Sequence, residues 1–488
     1  MKCNLDYTGH PFYDVGLATL TAFARKQHPA ELEQADLQTA ADYMKKNYVV
    51  NPLKSFLTVA FPNSGFTQPA YEKQPEKRLR YAESTLYAFN APAADEELDP
   101  LNRLLAASTR YDVNGELPPG RAYRQHLPLL TGENVINFFP YGDAGLPLSG
   151  VSMLAIQALP LGCAKVSGRL LAVHSDSPRL LLYFARTFLE INRKNIQLAQ
   201  TAGESKLPET NPYQPRTLLI DLLLRAEQEQ RERTPNDSIT LTAYHFTNSG
   251  QGAELQIYPL PLEVGEFLRA AISPIHREQW NALTARGWQL TRSRSEEQPH
   301  YNRLYEDLFS LPETAPLFIR RYFLRRPAKP KDKLDPTATY DTRREANLIF
   351  WSLTELFLRK VMQMEKDRID SIRSLGDQLA QYVLQTNDRS FFNLFWMARS
   401  YAEMRAALLR ASQREVRSGR PPLISLDQFL AIFEQYEGVP SSDWRLGRDL
   451  VLIRLLEQLY AQGWLQQHAE EIPEIEETLS DTSESNNL

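Results

Sequence analysis

The chain has 488 residues, of which 55 are Lys or Arg and 60 Asp or Glu, for a formal net charge of −5; that balance excludes a histone-like coating protein but leaves room for local basic patches. With 42% hydrophobic and 24% charged residues it is globular, of two or three domains. Its two cysteines, Cys3 and Cys163, lie too far apart for a disulfide framework or a Cys-rich zinc site, and no window has the apolar length of a signal or a membrane helix, so a cytoplasmic protein with no metal, no cofactor and no membrane partner is expected.

In chain order, residues 11–26 place Val15, Leu17, Leu20 and Phe23 at near-helical spacing, and a second amphipathic helix covers 31–48. Residues 51–61 favour β structure. Residues 74–91 read as a helix opened by Pro75 and closed before Pro92, and 93–120 are loop-rich. Arg110, Arg121, Tyr123 and Arg124 then form a basic loop, read either as solvated or as a phosphate contact.

The segment 129–176 is the least generic. Asn137-Phe138-Phe139-Pro140-Tyr141-Gly142 sets three aromatics around a Pro-Gly turn, which fits a packed core corner or a stacking platform. Residues 148–161 form an apolar helix without a charge, which must be buried. A strand at 168–175 and a helix at 178–200 follow. His174-Ser175-Asp176 invites a hydrolase reading, but strand alternation puts His174 and Asp176 on the face that Ser175 leaves. Another helix spans 214–232.

Residues 238–260 read as a β-hairpin: two β-favouring runs, 239–246 and 254–258, flank Thr247-Asn248-Ser249-Gly250-Gln251-Gly252-Ala253. The tip is an ordinary polar turn, or one whose amides pair with a base edge on a backbone that two glycines let approach closely. Helices are expected at 262–271 and 274–287. The run 320–333 carries seven basic residues against one acid; it is either a solvated interdomain linker or a grip on a nucleic-acid backbone.

A composition shift near Asp341 marks a boundary, and 343–464 read as helix throughout. Ser425 with Gln428 signals a capping box, and Gly419 with Pro421 and Pro422 ends the preceding helix. On that preceding helix Arg410, Arg414 and Arg417 fall at i, i+4 and i+7 in one basic stripe, either a solvated face or a strand-binding one. Residues 469–488, with six Glu and one Asp, form an acidic, disordered tail. The expected fold is an α+β region, 1–340, followed by an all-α bundle, 341–466, and the tail, 467–488.

Three ordered blocks, YTGHPFYDVGLATLTAF, PLLTGENVINFFPYGDAGLPLSGVSMLAIQALPLG with GRLLAVHSD, and FTNSGQGAELQIYPLP, resemble the large-subunit family of type I-B CRISPR Cascade complexes, the Cas-eight group, over most of residues 1–265. The resemblance implies a non-enzymatic, antiviral subunit that reads the protospacer-adjacent motif on duplex DNA and supports R-loop formation. Its implied partners are CRISPR RNA, double-stranded target DNA, Cascade backbone and small subunits, and a recruited helicase-nuclease or, in transposon-associated systems, a transposition adaptor. Some relatives carry paired cysteines suggesting zinc, which Cys3 and Cys163 cannot supply. The C-terminal bundle would correspond to a Cascade small subunit.

In such a complex base pairing reads the sequence, so the protein needs a small motif reader, basic surface and a wedge. Asn248, Ser249 and Gln251 suit the reader, and Phe138, Phe139 and Tyr141 the wedge. Arg121, Arg124, Lys165, Arg169, Arg325, Arg326, Arg410, Arg414 and Arg417 are the backbone candidates. Two other classes compete: a helical scaffold that binds only proteins, and an enzyme on a mixed α+β fold. For the enzyme the chain offers no phosphate-cradling Gly loop, no metal-ligand spacing among its eight His, and no nucleophile at a recognisable distance from a base.

Overall fold

The computed structural model describes residues 3–114, 116–130, 144–212, 214–229, 240–248, 252–290, 299–326, 336–436, 439–441 and 443–469. The chain divides into two compact units, Met1–Leu262 and Glu263–Leu488.

The first unit is built around α1 (Pro11–Phe23). Proline opens the helix, where its missing N–H is not needed, and the His10 ring caps it by accepting from the Tyr13 amide. Every residue from Tyr13 to Ala22 is buried. α1 stops at Phe23, short of the expected residue 26, because Arg25 takes a left-handed φ of 57°. The Arg25 amide then donates to Ala22 O and the Lys26 amide to Thr21 O, both at 3.0 Å, a Schellman turn that satisfies the last carbonyls.

α2 (Gln34–Asn47), α3 (Leu53–Leu57) and α4 (Pro75–Leu86) follow. α3 replaces the β structure expected at 51–61: Leu53, Phe56 and Leu57 are all buried at i, i+3 and i+4, so the apolar run covers the core with a helical turn. Two short antiparallel pairs come next, β1 (Ala93–Leu98) with β2 (Leu105–Ala107), and β3 (Arg121–Ala122) with β4 (Leu146–Pro147). The charge-free α5 (Gly150–Ala158) is buried as expected and packs on α1. Gly16 permits that approach, since a Cβ there would lie 2.0 Å from Ala155 O.

β5 (Ala164–Val166), β6 (Arg169–His174), β7 (Leu241–Thr247) and β8 (Glu254–Leu260) form one antiparallel sheet in the order β5-β6-β7-β8. The register pairs Leu171 with His245 and His245 with Gln256. α6 (Pro178–Ala202) and α7 (Pro215–Glu229) connect β6 to β7, and α6 lies along α1.

The second unit opens with α8 (Leu262–Ala271), α9 (Arg277–Gly287), the pair β9 (Trp288–Leu290) and β10 (Pro299–Asn302), α10 (Arg303–Leu308), and α11 (Ala315–Phe318) running into a π-helical turn, Ile319–Phe323. It continues as α12 (Trp351–Lys360), α13 (Lys366–Thr386), α14 (Arg389–Met397), α15 (Tyr401–Arg417) and α16 (Leu426–Phe433), then a small pair, β11 (Glu434–Tyr436) with β12 (Val439–Pro440), α17 (Trp444–Ala461) and α18 (Trp464–Gln467). The C-terminal part is helical as expected, with α13 and α17 packed on each other.

The expected boundary at 340/341 falls inside this unit. Phe267 and Phe323 meet Phe357 of α12 at 5.4 and 5.2 Å, and Phe318 stacks flat on it at 5.1 Å, so residues 263–326 share the helical core despite their different composition. Ser425 caps α16 by accepting from the Gln428 amide at 3.2 Å, but the Gln428 side chain donates to Ser371 O, so only half of the expected capping box forms. Ser400 and Glu403 make the complete box, at the start of α15. The expected acidic tail lies outside the described residues from Glu470 onward. Among the described residues no helix is long and apolar enough to cross a membrane.

Candidate nucleic-acid interface

The hairpin forms as expected, and its mounting decides which tip residues are available. β7 alternates buried and half-buried side chains, while β8 is the outer strand, with Leu255 42% and Ile257 52% exposed. Immediately after β7 the chain is clamped. The Asn248 amide donates to Val59 O at 2.8 Å, its side-chain Nδ2 to Ala60 O at 3.3 Å, and Arg124 Nη2 to Asn248 O at 3.2 Å.

Asn248 is 0% exposed. The expectation that it reads DNA is therefore corrected: its amide is spent on the carbonyls that follow α3. Its Oδ1 is buried without a hydrogen-bond partner among the described residues. Ser249 and Gln251 lie outside the described residues, as do Phe138, Phe139 and Tyr141. The clamp brings together two residues singled out separately, Arg124 and Asn248, and joins the 121–126 loop to the end of β7.

Three other backbone candidates of this unit are engaged by protein groups. Arg121 is buried, donates to Ala144 O and Gly145 O at 3.4 and 3.3 Å, and pairs with Glu97. Lys165 donates to Leu207 O at 2.6 Å and lies 3.2 Å from Glu209. Arg169 pairs with Glu254 of β8, tying the sheet across β7. None offers an uncommitted charge to phosphate, because a partner distant in sequence already holds it. His245, a buried residue of β7, sets its Nε2 against Val166 O at 2.9 Å; burial holds its pKa below the ordinary value, which favours the neutral ring.

In the second unit the basic run at 320–333 divides. Arg325 is 0% exposed, pairs with Glu345 through Nε at 2.9 Å, and lies 3.6 Å from the Tyr340 ring centroid. Arg326 is buried over Trp396 and donates to Trp396 O at 3.0 Å. Burial would raise the Asp449 carboxyl, but Arg448, Arg320 and Arg326 outweigh it and hold the pKa below the ordinary value. The readings of Arg325 and Arg326 as nucleic-acid contacts are corrected: both are core cations, neutralised where they lie. Residues 327–335 lie outside the described residues.

The stripe on α15 is exposed as expected, and its three arginines differ. Arg414 pairs with Asp388, which also accepts from the Tyr382 hydroxyl at 2.6 Å. Arg410 and Arg417 are exposed and make no ion pair among the described residues. Arg405, Leu409 and Val416 are also exposed on α15, at the other edge of its solvent-facing side. This surface can receive phosphate without first breaking an internal pair.

The strand residues that invited a hydrolase reading are separated. His174 faces Asp14, Ser175 is buried with its hydroxyl accepting from the Ser177 amide, and Asp176 is exposed. Among the described residues no three His, Cys, Asp or Glu side chains are grouped to hold a metal ion. Cys163 is buried and burial pushes its thiol pKa up. The carboxylates that claim the candidate cations, Glu97, Glu209, Glu345 and Asp388, had no local signal in the sequence. No protein-family model matches the chain, and no curated protein matches it.

Proposed function

We propose that the chain is the large subunit of an RNA-guided DNA-binding complex of the type I-B Cascade kind, a non-catalytic component that reads a short flanking motif on duplex DNA. The observation that carries this reading is the convergence of the three sequence blocks that resemble that family. Phe12 of the first lies 4.7 Å from Phe246 of the third, and Asp14 of the first meets His174 of the second at 3.0 Å. One core thus depends on all three blocks, as expected if they were inherited as a working unit.

In this reading the hairpin tip beyond Asn248, with Ser249 and Gln251, probes the groove while the clamp to Val59 O and Arg124 holds its base. Arg410 and Arg417 of α15 supply backbone contacts for target or displaced strand. Guide RNA, backbone subunits and small subunits complete the complex, and a helicase-nuclease or a transposition adaptor acts on the opened target.

The test is binding of target DNA by the assembled complex across a library of flanking sequences. Replacing Ser249 and Gln251 together by Ala should flatten discrimination between flanks, with about 1–3 kcal/mol lost at each motif base that is read. An unchanged preference would remove the tip as reader. Absence of any small RNA and partner subunits from the natively purified protein would remove the whole reading.

A further inference from the structure

Where α1 ends against α6 the first unit carries a cleft of about 440 Å³, lined by Phe23, Arg25, Gln27, Arg186, Glu190 and Arg193 among others. Three guanidinium groups in one concavity against one carboxylate leave a net excess of two positive charges. None of the three comes within ion-pair distance of Glu190 among the described residues, although Arg186 and Arg193 sit one turn to either side of it on α6. Other well-covered arginines of the chain are neutralised by a carboxylate: Arg121 with Glu97, Arg179 with Glu227, Arg325 with Glu345.

Each of the three is positioned without consuming most of its donors. Arg193 lies 5.1 Å from the Phe23 ring and 5.6 Å from the Tyr43 ring; ring faces hold the guanidinium plane and leave its edge open. Arg186 gives one N–H to Lys26 O at 3.3 Å. Arg25 is the most telling. It occupies the left-handed position of the Schellman turn that closes α1, with φ 57°, where glycine is the usual residue and any side chain adds strain. A strained non-glycine residue that extends a guanidinium into a charged cleft points to use. The turn also takes up the carbonyls of Thr21 and Ala22, so those two helix-end acceptors are already satisfied.

We propose that this cleft binds a phosphate ester, one nucleotide unit in size, gripped by Arg25, Arg186 and Arg193. Forked, planar donors match phosphate oxygens, and the volume fits a small ligand. The chemistry is shared by a free nucleotide and by the phosphorylated end of a nucleic-acid strand. The proposal does not depend on the RNA-guided reading.

The test uses the full-length protein and calorimetric titration with AMP, with a 5′-phosphorylated RNA octamer and with the same octamer carrying a 5′-hydroxyl. Tighter binding of AMP or of the phosphorylated octamer than of the hydroxyl form supports the site, and the tighter of the two identifies the source. Arg25→Gly should weaken that binding about tenfold or more while the thermal midpoint stays level or rises, because the strained turn relaxes. Glu190→Gln should strengthen binding severalfold. Equal binding of all three probes, or a binding constant unmoved by Arg25→Gly in a protein that melts normally, overturns the proposal.

Discussion

Nε2 of His174, at the end of β6, lies 3.0 Å from Oδ2 of Asp14 inside α1. The same carboxylate accepts the amides of Thr8 and Gly9 at 2.8 Å each, and Asp14 is buried. Four hydrogen bonds, counting the longer one from the Thr8 hydroxyl, thus fasten the N-terminal turn and the sheet to one carboxylate. Asp14→Asn keeps the shape but replaces one acceptor oxygen with a donor facing donors. It should destabilise the first unit by about 2–4 kcal/mol, seen as a lower urea midpoint with unchanged slope. A midpoint within error of the wild type would show that these bonds contribute nothing net.

Gly16 sets how closely α1 approaches α5. With a Cβ only 2.0 Å from Ala155 O and 2.6 Å from its carbonyl carbon, the helices must separate to admit a methyl group. Gly16→Ala should cost about 3 kcal/mol, although alanine is the better helix former. Denaturant unfolding reads the sign: a stabilised variant would mean that propensity outweighs the clash.

His126 is fully buried. Its Nδ1 accepts from the Tyr123 amide at 3.1 Å, its Nε2 faces Tyr111 O, and burial lowers its pKa from 6.5 to about 4. The ring is neutral in the fold, whereas the unfolded chain binds a proton near pH 6.5. Its contribution is therefore whole above about pH 6.5 and is lost as pH falls toward 4, a change of about 3 kcal/mol. Melting curves at pH 7.5, 5.5 and 4.5 should show a steeper acid decline for the wild type than for His126→Asn. Parallel declines would exclude this ring as the source.

The arginines of the second unit separate into two classes with opposite readouts. Arg410→Glu with Arg417→Glu should leave the melting temperature near that of the wild type, weaken DNA binding by the assembled complex at least about tenfold, and flatten its salt dependence by about two units of slope. Arg325→Met removes one of the two arginines that hold Glu345, the other being Arg286, and should cost about 1.5–3 kcal/mol with the salt slope intact. The reverse pattern would count against α15 as the proposed nucleic-acid surface and favour the segment around Arg325.

Much of the architecture was legible because its signals are local. The charge-free run of α5, the strand and helix that follow it, the hairpin and the helical C-terminal segment all announce themselves in periodicity and in turn residues. The division at Leu262 was not, since it depends on Phe267, Phe318 and Phe323 converging on Phe357, a tertiary event that composition does not record. Nor was α3, whose Leu53, Phe56 and Leu57 suit a strand or a helical turn equally until the core chooses. The candidate surface was legible by half: a basic stripe shows its face in the helical repeat, but whether a given arginine is spent depends on carboxylates such as Asp388 and Glu345, brought in by the fold.

The clamp at Asn248 also sets a reach. Between Asn248 and the first residue of β8, Glu254, run only the residues 249–253, and a chain of that contour, out and back, extends no more than about 10 Å from its mount. B-DNA's major groove is about 8.5 Å deep. If the hairpin reads duplex DNA as proposed, a loop of this length reaches the groove floor only with the Val59–Asn248–Arg124 platform within about a side chain's length of the groove's rim.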